Sequence, residues 1–209
     1  MDYQNTLRLK GIVASIPQKV KIAFDVELDE YEFDLAIKRD SGVDDIIKVQ
    51  YNAKTPFKYG FGDVVAVYGK VVTYSRYDKY IMKKRTIIRA YGESFTDGSE
   101  IEDEYYNFVE FNGTMYNSPL IRETPKGRVI ADFICVTKTE DDHFSFVPCL
   151  VWNGNARRVM RYKKGDMITV SGRFQSREYQ KIHEDESIEI RTAYEISVNT
   201  FFAKEKEKK

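Results

Sequence analysis

Gly62-Asp63-Val64-Val65-Ala66-Val67-Tyr68-Gly69-Lys70 has a near-copy in the second half of the chain, Gly165-Asp166-Met167-Ile168-Thr169-Val170-Ser171-Gly172-Arg173. Each copy is preceded by an apolar run ending in an aromatic-Asn pair, Tyr51-Asn52 and Trp152-Asn153. Each is followed by a hairpin rich in Tyr and Arg/Lys, and then by a closing strand, Thr86–Tyr91 and Ile190–Val198. The two halves therefore read as copies of one unit.

Working outward from the repeat, short period-2 runs rich in Tyr, Phe, Val, Ile and Thr recur between Gly, Asn, Asp and Ser, the pattern of all-β sandwiches and barrels. The first series is Leu7–Ser15, Lys21–Asp25, Tyr31–Lys38, Ile46–Tyr51, Val64–Tyr74 and Lys83–Tyr91. The second is Asn107–Tyr116, Arg128–Lys138, His143–Trp152, Met167–Arg177 and Ile188–Phe201. Short strands with a break between the third and fourth predict an all-β chain of two tandem five-stranded Greek-key OB barrels. In the second half the break fits a short helix, because Ala156, Val159 and Met160 form an i, i+3, i+4 apolar stripe flanked by Arg157, Arg158 and Arg161. Pro56 interrupts the equivalent segment of the first half, where a loop is expected. Glu93–Glu104 holds six acids and no base, so it reads as a solvated linker. The expected division is 1–95 and 105–202, joined by 96–104, with a charged tail at 203–209.

Composition narrows the function. The chain has 209 residues, 33 Lys+Arg against 33 Asp+Glu, and 42% hydrophobic residues, enough apolar content for a core. It has no apolar run long enough for a membrane helix and no signal-peptide pattern at Met1–Asn5. Cys135 and Cys149 form no disulfide framework, and a cytoplasmic protein is expected. Zero net charge argues against a generally basic nucleic-acid binder, but not against one whose bases lie on a single face. Catalysis has no support. His143 and His183 lack companions at metal-ligand spacing, Asp141-Asp142 reads as a solvated turn, and no nucleophile elbow, phosphate loop or dinucleotide fingerprint occurs. No cofactor or metal is expected.

The informative strand is His143–Trp152. Ser145, Val147, Cys149 and Val151 make a small, mostly apolar face suited to a narrow barrel interior. Phe144, Phe146, Pro148, Leu150 and Trp152 make the other, which is placed outside as an apolar patch needing a reason. In the neighbouring strand, with Ile168, Val170 and Gly172 inward, Arg173, Gln175, Arg177 and Tyr179 point outward. Arg157, Arg161, Lys163 and Lys164 lie between the two. Exposed rings ringed by Arg and Lys on an OB barrel suit single-stranded nucleic acid, since rings stack on unpaired bases and cations follow phosphates. The bland readings are a hairpin or interface role for Phe144, a core position for Trp152, solvated cations at Arg157, Arg158 and Arg161, and an inert buried thiol at Cys149.

At these residues the second half resembles the bacterial single-stranded DNA-binding protein family. The resemblance rests on Asn107-Phe108-Val109-Glu110-Phe111-Asn112-Gly113, on Pro119 through Arg128, and on Ala131-Asp132-Phe133. It continues in Tyr162-Lys163-Lys164-Gly165-Asp166 and in Val170 through Tyr179. It implies stacking by Phe146, Trp152 and Tyr179, a basic groove including Arg122, Arg173 and Arg177, and no enzymatic activity. Family members present four OB folds, so a homodimer is expected. The first half is only distantly similar. Its candidate second surface is Tyr51, in the place of Trp152, with Lys70, Tyr74, Arg76, Tyr77 and Tyr80. The family's acidic, aromatic-tipped tail is absent from this sequence, which puts recruitment of replication or recombination proteins by that route in doubt. The expected function is sequence-nonspecific single-stranded DNA binding in replication, recombination or repair. The alternatives are a replication adaptor of modest DNA affinity, a protein-interaction module that binds no DNA, and a preference for RNA.

Overall fold

The computed structural model describes residues 4–21, 27–39, 41–78, 83–102, 106–124, 127–139, 143–183 and 186–203. The first series of strands is β1 (Asn5–Val13), β2 (Gln18–Lys21), β3 (Glu27–Ile37), β4 (Asp45–Asn52), β5 (Val64–Asp78) and β6 (Lys83–Asp97). The second is β7 (Tyr106–Met115), β8 (Leu120–Glu123), β9 (Val129–Lys138), β10 (Phe144–Trp152), β11 (Met167–Ile182) and β12 (Ile188–Ala203). A helix, α1 (Asn153–Val159), joins β10 to β11. The strands run as one continuous sheet in the order β2-β3-β4-β6-β5-β1-β7-β11-β12-β10-β9-β8. Pairings β3–β1 and β7–β9 close each half on itself, giving two five-stranded barrels, each with a short extra edge strand, β2 or β8.

The repeated Gly-Asp has a mechanical explanation. Gly62 and Gly165 have φ of +92° and +88°, a region that only glycine enters without strain. The turn they make clasps the end of the first strand of each barrel. Val13 N–H donates to the Asp63 carbonyl and Gly62 N–H to the Val13 carbonyl, both at 2.9 Å, and Met115, Asp166 and Gly165 repeat the arrangement at the same distances. The second glycine of each copy sits at a bulge in the β5–β6 or β11–β12 ladder. A Cβ there would lie 1.8 Å from the Tyr91 carbonyl oxygen at Gly69 and 2.2 Å from that of Ser197 at Gly172.

Two features weld the barrels together. β1 pairs antiparallel with β7 from Asn5↔Phe111 to Lys10↔Tyr106. Beside that seam, two reciprocal latches cross between the barrels. Thr73 N–H donates to Ser145 Oγ (3.0 Å), and Phe146 N–H donates to Thr73 Oγ1 (2.6 Å). In the mirrored latch, Ser176 N–H donates to Asp45 Oδ1 and Ile46 N–H to Ser176 Oγ, both at 2.8 Å. The second latch is charged, because Arg39 grips both Asp45 carboxylate oxygens and also donates to the Ser176 carbonyl at 2.6 Å.

The latches reveal the true correspondence between the halves. Asp45–Asn52 and Ser145–Trp152 alternate between core and surface in the same order. Parallel pairs Val49↔Ala90 and Cys149↔Ile196 set the same register in both barrels. Tyr51 thus matches Val151, and Asn52 matches Trp152. The expected match of Tyr51 with Trp152 is one residue out of step, because cross-strand pairing and not the aromatic-Asn coincidence sets which face each side chain takes.

Three further expectations change. The acidic stretch is not linker throughout. Glu93–Asp97 continue β6, with pairs running to Val65↔Asp97, before a single 3-10 turn at Gly98–Glu100. Glu93, beside the Gly69–Gly92 bulge, and Asp97, at the strand's end, are exposed, while Phe95 between them packs on Tyr51 and Phe57. Leu150, expected outside, is buried although it lies beyond the core cluster. It is paired on both sides, with Asp132 and Ser197, so its neighbours cover it. Met160 faces solvent because α1 ends at Val159, leaving Ala156 and Val159 as its buried positions. The break in the first half is free of helix, as Pro56 implied. β8 was not among the expected strands, although it lies inside the Pro119–Arg128 stretch that carries the resemblance, and residues 22–25 of the expected second strand lie outside the described residues.

Candidate nucleic-acid interface

Alternation along β10 puts Ser145, Val147, Cys149 and Val151 into the core and leaves Phe146, Pro148 and Trp152 outward. Burial pushes the Cys135 thiol up to about 12 and the Cys149 thiol well above its ordinary value. Both are therefore inert as nucleophiles. The outward face of β10 is continuous with those of β9, β12 and β11.

Rings and cations meet at both ends of this face. At one end Phe146, 38% exposed, meets Tyr116 edge-on at 5.3 Å, and the Lys164 ammonium lies 5.7 Å from the Tyr116 ring centre. At the other end the half-exposed Trp152 donates its indole N–H to Ser197 Oγ at 3.2 Å, and Ser197 pairs across the ladder with Arg173. Six residues of strand separate the two rings, about 20 Å. Farther along β11, Tyr179 is 39% exposed beneath the Arg177 guanidinium, which lies 5.7 Å from its ring centre. The cations are held in place by carboxylates. Arg122 is bidentate to Asp132, and Arg177 donates to Glu195 at 3.1 Å. Arg173 donates to Gln175 at 3.3 Å.

The structure thus brings Arg122, Phe146, Trp152, Lys164, Arg173, Arg177 and Tyr179 onto one connected face. Arg157, Arg161 and Lys163 are exposed on α1 and the turn beyond it, between Trp152 and Lys164 in the chain. Phe144 is exposed at the strand's start with the Lys138 ammonium over its ring. Tyr116 was missed by sequence reading. The available signal was its position one residue after the last inward side chain of β7, Met115.

The first barrel's counterpart face is different. Tyr51 is only 6% exposed, packed among Tyr31, Phe33, Phe57 and Phe95, so it is corrected from a surface stacker to a core residue. Burial accordingly raises its phenol pKa. Ile46 and Asn52 stand where the second barrel has Phe146 and Trp152. Between them the face is an ion-pair network. Lys48 Nζ bridges Asp34 (2.7 Å) and Glu32 (3.6 Å), while Arg89 and Gln50 donate to Glu32 at 2.6 and 2.9 Å. Lys70 pairs with Glu93 at 2.9 Å and lies over the Tyr91 ring, and Tyr74 accepts from Gln50. Arg76 and Tyr77 belong to the far end of β5, and Tyr80 lies outside the described residues. Replacing Tyr51 by leucine should cost about 1–2 kcal/mol in urea unfolding and leave oligo-dT affinity unchanged. Equal loss of both would restore a surface role.

The model of the Single-strand binding protein family matches residues 106–202. A single-stranded DNA-binding protein of Halalkalibacterium halodurans is 32% identical over 80 residues, covering 35% of this chain and 48% of the relative. A single-stranded DNA-binding protein 2 of Listeria monocytogenes is 35% identical over 81 residues, covering 35% and 51%. The match spans about half the length of these curated relatives. The crystal structure of the wild-type single-stranded DNA binding protein from Thermus aquaticus superposes with a TM-score of 0.70 at 16% identity, covering the whole of this chain and 97% of that one. A deletion mutant of the same protein gives 0.72 at 17% identity. At that identity the likeness speaks for the fold, two OB barrels in one chain.

Proposed function

We infer, from the match of residues 106–202 to the Single-strand binding protein family, that the chain binds single-stranded DNA without regard to sequence, in replication, recombination or repair. The observation that carries this reading is the ring-and-cation face of the second barrel. Phe146, Trp152 and Tyr179 offer π-faces to bases. Arg122, Arg157, Arg161, Lys163, Lys164, Arg173 and Arg177 offer charge to phosphates. A binding protein of this kind carries no catalytic machinery, and the residues here suit positioning and not bond-making. Reduced, buried cysteines accord with a cytoplasmic setting. We take the first domain as running through Asp97, the end of β6, and the second as 105–202, with the joint between them, and expect two copies to associate so that four barrels are presented.

Trp152 is the single tryptophan, so titration with oligo-dT should quench the protein's indole emission. A gel shift comparing single-stranded DNA, duplex DNA and RNA, beside light scattering for mass, tests the reading. Absence of quenching and of any shift would overturn it. The logarithm of affinity should fall with the logarithm of salt concentration by about 0.7 per neutralised phosphate. A flat salt response would argue for stacking without phosphate contact. A second reading, an adaptor of modest DNA affinity, is favoured by the neutralised face of the first barrel. It would show as a weak shift together with a stable complex with a primase or helicase loader.

A further inference from the structure

We infer that DNA held on the second barrel continues into the cleft between the barrels, where β6 of the first faces β12 of the second. This rests on the ring-and-cation face being the primary DNA site, and adds to it a subsite that no single barrel contains. The first barrel lines it with Arg85 and Arg89, the second with Pro148, Tyr179, Arg191 and Tyr194. Pro148 and Tyr179 already belong to the DNA face, so a strand crossing that face reaches the cleft without leaving protein surface.

The cleft has the chemistry of a nucleotide track. Three guanidiniums line it beside one carboxylate, Glu195, which already accepts from Gln175 and Arg177; Arg89 is also paired with Glu32 and Arg191 with Glu189, both outside the lining. The Arg89 guanidinium lies 5.9 Å from the Tyr194 ring centre. Arg191 pairs with Glu189 through its terminal nitrogen, but its Nε is buried and meets no acceptor among the described residues, a donor whose desolvation a phosphate oxygen would offset. A second cleft adjoins the first, sharing Thr192 and Tyr194, but its charges are Lys48 and Arg177 against Asp34, Asp44 and Glu178. A polyanion is repelled there and directed along the first. The β1–β7 seam and the two latches hold β6 and β12 face to face, so the subsite requires both halves of this chain.

The test uses the full chain and labelled oligo-dT of two lengths, about 8 and about 35 nucleotides, below and above the capacity of one barrel. Arg85→Gln and, separately, Arg191→Gln are expected to weaken the long oligonucleotide about fivefold and to lower its salt slope by about 0.7. Affinity for the short one should be unchanged, and Arg85→Lys should restore the salt slope. Equal loss on both lengths, or no loss on the long one, overturns the cleft while leaving the second-barrel site standing. Failure of wild-type protein to bind either length, or an unchanged short-oligonucleotide affinity in Trp152→Ala, overturns the parent site and the cleft with it.

Discussion

Trp152→Ala is expected to weaken oligo-dT binding by about 5- to 150-fold, the range equivalent to the roughly 1–3 kcal/mol that one base–ring stack contributes. The ring is half-exposed, lies outside the core cluster, and is oriented by its indole N–H bond to Ser197. Its removal uncovers part of a surface without opening a cavity in the barrel. The circular dichroism spectrum and the unfolding midpoint should therefore stay close to wild type. Affinity must be read by anisotropy of a labelled oligonucleotide, since the substitution removes the only tryptophan. Undiminished affinity with an intact fold would exclude the second-barrel face as the DNA site. Phe146→Ala should act in the same direction but less strongly, because that ring already packs edge-on against Tyr116 and shares its exposure with it.

The largest stability effect is expected from Asp45→Ala. The carboxylate is 1% exposed and its partner Arg39 only 15%. Removing it strands a nearly buried guanidinium and leaves the Ser176 N–H without its acceptor. Breaking one side of a buried ion pair costs about 3–5 kcal/mol. The loss falls on the contact between barrels, so it should appear as a lower urea midpoint for the whole chain. Ser145→Ala, at the corresponding position of the uncharged latch, should cost only about 1–2 kcal/mol, the price of one lost hydrogen bond to a buried N–H. If the two variants unfold alike, the charged latch contributes no more than its neutral counterpart.

Most of the fold was legible because β periodicity is local. Runs such as Val64–Tyr74 and Met167–Arg177 announce strands wherever they sit, and Ala156 with Val159 announces a helix only one turn from where it ends. The acidic run was misjudged at Glu93–Asp97 because composition speaks of solvent exposure on average, whereas one inward ring, Phe95, suffices to keep the strand paired. The ring-and-cation face was legible for the same local reason. Phe146 and Trp152 share a side of β10 by parity alone, as Arg173, Arg177 and Tyr179 share a side of β11. Leu150 has the same parity yet is buried, because covering depends on neighbours that parity does not name.

From the chain alone follow the strands, the tandem duplication and the set of rings and cations that one face carries, since side chains alternate over two residues whatever the strand pairs with. Tertiary structure alone decides the register that sends Tyr51 into the core and sets Asn52 opposite Trp152 in the pseudo-symmetry. It also decides the latches from Asp45 to Ser176 and from Thr73 to Ser145, and the cleft between Arg85 and Arg191. These depend on pairings between residues far apart in sequence, where a shift of one position exchanges inside for outside.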